Sequence, residues 1–225
     1  MKKIFAFDVD GVLLNFMKSF DQAAEIVLKK PIEVKKDEIE QDHYHLGKRV
    51  GTTIENVEKI LNYMLDSRMY AEFEPLSGAK NALSKIRSKG YTMVIVTALP
   101  ESAKEMRLEN LKRVLDFEPD ESYFVGMGCS KEDVLKKIKP DIFIDDRLAY
   151  LANAPQETYH LIWCDQKESQ DAKEVLVNVH VHSLGEWVDS YLDTVDKRLT
   201  EHKVKKESLQ VELKLESYQR RYCSP

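Results

Sequence analysis

Residues 3–12 read KIFAFDVDGV, and this stretch decides the fold. An apolar run with β-branched and aromatic members ends in two carboxylates, Asp8 and Asp10, followed directly by Gly11. A short apolar run without polar alternation is the pattern of a strand buried on both faces, as in a parallel sheet. Two-residue periodicity puts Asp8 and Asp10 on one side if the strand continues. If the chain bends at the glycine, the Asp8 side chain and the Asp10 main-chain carbonyl converge instead. In open parallel sheets ligands bind at the carboxyl ends of strands, which is where this acid pair falls.

The same grammar recurs at residues 141–147, DIFIDDR, another apolar strand that ends in acids, Asp145 and Asp146. Burying so many carboxylates at neighbouring strand ends carries a large cost unless a cation neutralises them. Hard oxygen donors of this kind suit Mg²⁺, which is held by a few carboxylates together with water and substrate phosphate.

Working outward, further apolar runs at Tyr91–Val96, Tyr123–Val125, Asp141–Ile144 and His160–Trp163 read as strands. Helical patterning fills Gly78–Lys89, Glu101–Leu115, Lys131–Ile138 and Leu148–Asn153 between them. Strands alternating with helices predict an α/β fold: a three-layer, Rossmann-like parallel sheet with right-handed crossovers. Residues 15–75 break the alternation. Segments such as FDQAAEIVLKK and TIENVEKILNYML space apolar residues by three and four, as amphipathic helices do. They are expected to form a small helical cap inserted after the first strand, with residues 1–14 and 76–193 as the catalytic core. Val175–Val181 reads as a further strand and Leu184–Leu192 as a helix. Residues 194–225 are strongly charged and read as a helical or solvated tail, dispensable for activity.

The chain has 225 residues, 43% hydrophobic and 32% charged, which suits one well-buried core. A net charge of −5 gives no basic excess of the kind that marks a nucleic-acid surface. No apolar run is long enough to span a bilayer, and Asp8 and Asp10 interrupt the N-terminal apolar stretch too early for a secretory signal. Three scattered cysteines, Cys129, Cys164 and Cys223, fit reduced thiols, so a cytoplasmic location is expected.

Two further features suit an anion. Thr97 stands at the end of TMVIVTALP, residues 92–100, with a hydroxyl able to reach a phosphoryl oxygen. Lys131 opens the helix of SKEDVLKKI, residues 130–138, behind Ser130 as its cap, and so places a point charge at a helix start.

With Asp8-Val9-Asp10-Gly11-Val12, Thr97, Lys131 and Asp145-Asp146 in that order, the chain resembles the haloacid-dehalogenase-like (HAD) hydrolase superfamily over roughly residues 1–190. The resemblance implies that Asp8 is a nucleophile forming an aspartyl-phosphate and that Asp10 is the general acid and then the general base. It implies phosphoryl binding by Thr97, Ala98 and Lys131. It also implies Mg²⁺ on Asp8, the Asp10 carbonyl and the Asp145–Asp146 pair, with Asp146 favoured as the direct ligand. Dehalogenases of the superfamily generally lack the second aspartate of the first motif, so Asp10 favours phosphoryl transfer. Within the superfamily, DVDGVLLNF, EPLSGAKNALSKIRSKGYTMVIVTALP and DIFIDDR are similar to the 5′(3′)-deoxyribonucleotidases. The chain departs from their pattern at Leu99, which separates Ala98 from Pro100, and in having no tryptophan between residues 15 and 75.

The resemblance therefore implies a Mg²⁺-dependent phosphatase of a small phosphorylated metabolite, such as a nucleoside monophosphate, with neither nucleic acid nor membrane as partner. The alternatives are a sugar-phosphate or other metabolite phosphatase, a phosphomutase, and a HAD-fold binding protein without turnover. Phe16, His45 and Arg49 are the candidate substrate contacts from the cap; Phe20, Tyr44 and Tyr63 are aromatic alternatives. The His43/His45 and His180/His182 pairs have no evident third ligand for a metal, and Cys129 has no paired base. The sequence leaves the oligomeric state open.

Overall fold

The computed structural model describes residues 3–33, 45–152, 154–164, 177–197 and 199–201. Six parallel strands form one sheet: β1 (Ile4–Phe7), β2 (Thr92–Ala98), β3 (Glu121–Val125), β4 (Ile142–Asp145), β5 (His160–Cys164) and β6 (Val179–Val181). Their spatial order is β3-β2-β1-β4-β5-β6. The chain therefore builds outward from β1 in one direction and resumes from β4 in the other. The carboxyl ends of β1 and β4 meet where that direction reverses, the usual place for a ligand in such sheets.

Alternating side chains supply the two faces. Phe5, Phe7, Met93, Ile95, Ile142, Ile144 and Ile162 belong to one core cluster. Their neighbours Ala6, Val94, Val96, Phe143 and Trp163 belong to the other. On the first face the rings of Phe5 and Phe7 stack at 4.3 Å, and Trp187 meets Phe5 edge-on at 5.1 Å. That face is covered by α4 (Ala79–Ser88) and α5 (Lys104–Leu115), through Ala82, Leu83, Ile86, Leu111 and Leu115. Leu135 of α6 (Glu132–Ile138) and Leu151 of α7 (Leu148–Ala152) cover the opposite face. These strands and helices fall where the sequence puts them, within a few residues.

Residues 15–75 leave β1 before the chain returns to form β2. Among their described residues there is no strand but three helices, α1 (Phe16–Leu28), α2 (Leu46–Val50) and α3 (Ile54–Asp66). Asn15 caps α1 by accepting from Lys18 N at 3.1 Å, and Thr53 caps α3 by accepting from Asn56 N at 3.4 Å. Phe20, Ala23 and Ala24 of α1 and Ile60 and Met64 of α3 are fully buried, as the three- and four-residue spacing requires. The entry and exit of this segment run side by side. Asn15 N donates to Glu74 O at 2.9 Å, and Leu76 N donates to Leu13 O at 2.9 Å.

One boundary is corrected. Residues 184–197 form a single helix, α8, which does not stop at Leu192. Its stripe of Leu184, Trp187, Val188, Leu192 and Val195 is buried, and Leu199 continues it. Asp196 accepts from Lys3 Nζ at 2.6 Å and from the Tyr91 hydroxyl at 2.8 Å. Charged residues fill the outer face and left only a thin apolar stripe in the sequence, which is why the segment read as a tail. Residues 202–225, and with them Cys223, lie outside the described part, as do His43 and Tyr44. Among the described residues no helix is long and apolar enough to cross a membrane.

Compared with a chain ending at Glu201, one ending at Asp193 gives up the burial of Val195 and Leu199. The expected loss is roughly 3 kcal/mol, a fall in Tm of about 6–12 °C by calorimetry. An unchanged Tm would return residues 194–201 to the status of a tail.

Candidate active site

The site begins with the turn after β1. Asp8 N donates to Ile144 O at 2.9 Å, which ties the strand end to β4. Beyond it Leu13 N and Leu14 N both donate to Val9 O, at 2.8 and 2.9 Å, and close a tight loop. Gly11 takes φ +81° within that loop, a conformation few other residues adopt. A Cβ at this position would also collide with the Asp146 carboxylate, so Gly11 is required twice over.

Lys131 occupies the N-cap position of α6, and Ser130 lies one residue earlier, accepting from Glu132 N at 3.0 Å. The turn before it, closed by Cys129 N donating to Gly126 O at 2.9 Å and with Gly128 at φ +76°, delivers the lysine to the sheet edge. The Lys131 side chain is wholly buried. Its Nζ lies 2.9 Å from Asp8 Oδ1 and 2.7 Å from Asp145 Oδ2, so one ammonium joins β1, β4 and α6. The Tyr150 ring adds a face 4.5 Å from Nζ. Burial alone would lower this ammonium, but the charges of Asp145 and Asp8 outweigh it and hold it above its ordinary value.

Asp8, Asp145 and Asp146 each present an oxygen within 4.8 Å of the others. Asp145 already accepts from Lys131 and, through Oδ1, from Arg147 N at 2.8 Å. Burial, reinforced by the neighbouring Asp145 and Asp8 charges, pushes Asp146 well above the usual carboxylate range. Burial likewise pushes Asp10 up to about 6, against the pull of Arg107. Clustered, desolvated oxygen donors with raised proton affinity are what a divalent cation relieves, and the residues present fit a hard metal ion such as Mg²⁺.

A cavity of about 690 Å³ opens above this floor and is lined by Asp8, Asp10, Gly11, Thr97, Ala98 and Asp146 from the sheet edge. Thr97 is buried and its hydroxyl has no hydrogen-bond partner. Asn15, Phe16, Gln22 and Arg49 line the cavity from the inserted helices, together with Tyr70 from the 3₁₀ turn Met69–Ala71.

The three expected cap contacts thus have different fates. Phe16 lines the cavity, stacked on Phe20 at 5.8 Å. Arg49 lines it too, but its Nε donates to Asp21 Oδ1 at 2.7 Å and its Nη2 pairs with Oδ2, so the guanidinium is already engaged. His45 lies outside the lining: its Nδ1 accepts from Lys48 N at 3.1 Å and caps α2. His180 and His182 lie at the end of β6, outside the cavity lining, and Cys129 is exposed.

The sequence reading missed Tyr70 and Arg107. Arg107 on α5 is fully buried, and its Nη2 donates to Asp10 Oδ2 at 3.0 Å. Its position in the buried stripe Ala103, Arg107, Asn110, Leu111 was the available signal, since a charge at an apolar spacing marks a buried role.

A parallel sheet in this order, with acid pairs ending its first and fourth strands and a lysine tying them together, is the arrangement of HAD hydrolases, and the family match makes the chain a phosphatase of that class. A family model described as "5' nucleotidase, deoxy (Pyrimidine), cytosolic type C protein" matches residues 2–174, and the chain belongs to that family. Solved structures with the same fold include the HAD-hydrolase YfnB from Bacillus subtilis bound to magnesium. It has 14% identity and a TM-score of 0.59 over 84% of this chain and 97% of that one. A β-phosphoglucomutase from Clostridium difficile has 16% identity and a TM-score of 0.57 over 91% and 100%. A phosphonoacetaldehyde hydrolase-like protein from Oleispira antarctica has 14% identity and a TM-score of 0.59 over 89% and 94%. At these identities the likeness is one of fold. No curated protein matches the chain.

Raised carboxyl groups give a signed pH dependence. A carboxyl whose folded value lies above its unfolded one favours folding at low pH, and that contribution fades as pH rises through the folded value. For Asp10, raised from 3.8 to about 6, the loss is roughly 3 kcal/mol by neutral pH. In EDTA the Tm is expected to fall between pH 5 and pH 8, and Mg²⁺ to restore it most at pH 8. Asp146→Asn should flatten both effects. A Tm in EDTA that rises over this range would contradict the assignment.

Proposed function

We propose that the protein is a Mg²⁺-dependent 5′-nucleotidase that hydrolyses a nucleoside monophosphate through an aspartyl-phosphate on Asp8. The observation that carries this reading is the convergence, on one cavity floor, of Asp8 held by a buried lysine, a half-buried Asp10 and the unpartnered Thr97 hydroxyl. Family membership and Phe16 on the cavity wall support the nucleotide as substrate.

Asp8 Oδ1 accepts from Val9 N at 2.7 Å and pairs with Lys131, which fixes the carboxylate's orientation and leaves Oδ2 to attack phosphorus. As the Asp8–phosphorus bond forms, the bond from phosphorus to the nucleoside oxygen breaks, and Asp10 gives that oxygen a proton. A proton affinity near 6 lets Asp10 serve in this role and then, as a carboxylate, take a proton from the water that attacks the phosphoryl group. That second attack breaks the bond to Asp8 and releases inorganic phosphate. Thr97 and Lys131 hold the phosphoryl oxygens while charge redistributes.

Asp8, the Asp10 carbonyl and Asp146 would hold Mg²⁺. Asp146 is favoured over Asp145 because it lines the cavity, while both oxygens of Asp145 already accept hydrogen bonds. The ion supplies Lewis-acid neutralisation of phosphoryl charge. Residues 15–75 act as the cap, with α1 and α2 closing over the substrate and excluding water.

Phosphate release is the direct test, measured over a panel of ribo- and deoxyribonucleoside monophosphates, sugar phosphates and p-nitrophenyl phosphate, with Mg²⁺ or EDTA. Nucleotides are expected to be turned over best. EDTA should abolish release, and Asp8→Asn should reduce it at least about 1,000-fold. A preference for sugar phosphates would reassign the substrate, and no release above the Asp8→Asn background would leave a binding protein.

Thr97→Val separates binding from stability. Its orphaned hydroxyl contributes no hydrogen bond to the fold, so Tm should hold or rise while kcat/KM falls roughly 10–100-fold. Equal losses of stability and activity would rule out a phosphoryl-binding role for the hydroxyl.

A further inference from the structure

A buried guanidinium is costly unless its geometry serves a purpose, and Arg107 is fully buried outside the cavity lining. Its Nη2 stands 2.8 Å from Asp10 Oδ1 and 3.0 Å from Oδ2, but it donates a hydrogen bond to Oδ2 alone. The usual arginine–carboxylate pair is a two-pronged fork that locks the carboxylate plane. Here Nε and Nη1 have no hydrogen-bond partner, and neither has Asp10 Oδ1. The carboxylate is therefore gripped at one point about which it can turn.

The guanidinium itself is prevented from turning. Its carbon lies 4.4 Å from the centre of the Phe73 ring and 5.6 Å from that of Tyr70. The segment carrying those rings is in turn fixed to α5. Asn110 Nδ2 donates to Phe73 O at 3.0 Å, and Arg113 Nη2 donates to Ala71 O at 2.8 Å. Arg107, Asn110 and Arg113 recur every third residue, so one face of α5 clamps the strap from Tyr70 to Phe73 and the strap clamps the guanidinium. The result is a rigid cation behind a carboxylate left free to pivot.

We propose that Arg107 is a positioning residue that holds Asp10 where it serves both proton transfers, first to the leaving nucleoside oxygen and then from the attacking water. This deepens the phosphatase reading and rests on the roles given there to Asp8 and Asp10. Asp10 is the one side chain that gives and takes a proton in these steps, passing it to the leaving oxygen and recovering one from the water, and Arg107 keeps its charge throughout.

The experiment compares two leaving groups by rapid mixing with Mg²⁺-loaded enzyme. An alkoxide leaving from a nucleoside 5′-monophosphate needs a proton, whereas p-nitrophenolate does not. For Arg107→Met, nucleotide turnover is expected to fall roughly 100-fold with KM within about threefold, the lower end of what general acid–base catalysis supplies. With p-nitrophenyl phosphate the variant should still release about one p-nitrophenolate per active site in a fast burst. Slow turnover should follow, because only hydrolysis of the aspartyl-phosphate then lacks its base. Arg107→Lys should recover part of the loss. Phe73→Leu, which removes the ring but keeps the apolar volume, should show the same pattern more weakly, and it carries the test if Arg107→Met does not fold.

A readout independent of turnover is the coupling of Arg107→Met with Asp10→Asn in thermal melts, where the double variant should lose less than the sum of the single ones. Equal losses on both substrates without a burst, or a raised KM at unchanged kcat, would overturn the positioning role. Asp10→Asn distinguishes the two readings. If that variant turns over nucleotide at the wild-type rate, the role given to Asp10 fails. If it shows the burst and Arg107→Met behaves like wild type, only the proposal for Arg107 fails.

Discussion

The Lys131 ammonium stands between two carboxylates from different strands, 2.9 Å from Asp8 and 2.7 Å from Asp145, with its side chain closed off from solvent. An isolated charge at that depth would be strongly disfavoured, and the bonds to both acids are what make its burial tolerable. The same contacts make the first and fourth strands end at the same level, because each places its acid within reach of one nitrogen. They also fix where α6 begins. Removing the lysine would leave two buried carboxylates facing each other, so the sheet edge and the chemistry proposed for it share one electrostatic origin.

That origin explains which parts of the molecule could be read from the chain. The strands were legible because KIFAF and DIFI must be buried on both faces, and continuous apolar runs have few alternatives. The acid pairs were legible because Asp8, Asp10, Asp145 and Asp146 sit where those runs stop. Lys131 was legible by its place at a helix start. Arg107 was legible only as a charge at an apolar spacing, because nothing local shows that Asp10 lies opposite it. Arg49 was found as a cavity residue, but its partner Asp21 belongs to another helix and is brought to it only by packing. His45 is expected from the sequence to meet substrate, but the Lys48 amide of its own helix donates to its Nδ1. The continuation of α8 to Val195 was hidden by the charges on its outer face.

Two kinds of arginine–carboxylate contact frame the cavity. Arg49 and Asp21 form a two-pronged pair on the wall built by α1 and α2, which stiffens that wall. Arg107 and Asp10 form a one-nitrogen pair beneath the floor, which leaves the acid rotational freedom. The same chemistry thus gives rigidity where a substrate is to be enclosed and compliance where a proton is to move.

The neck at Leu13–Asn15 and Glu74–Leu76 has a consequence of a different kind. Two backbone hydrogen bonds hold the departing and returning chain next to each other, so residues 15–75 begin and end about one strand spacing apart. A segment with adjacent ends can be lengthened, shortened or exchanged without disturbing the strands on either side of it, since the sheet senses only the gap to be bridged. The fold is therefore built like a socket. A different set of helices with the same end-to-end spacing could be grafted onto this sheet in place of α1 to α3, provided the strap from Tyr70 to Phe73, which clamps Arg107, stays with the core.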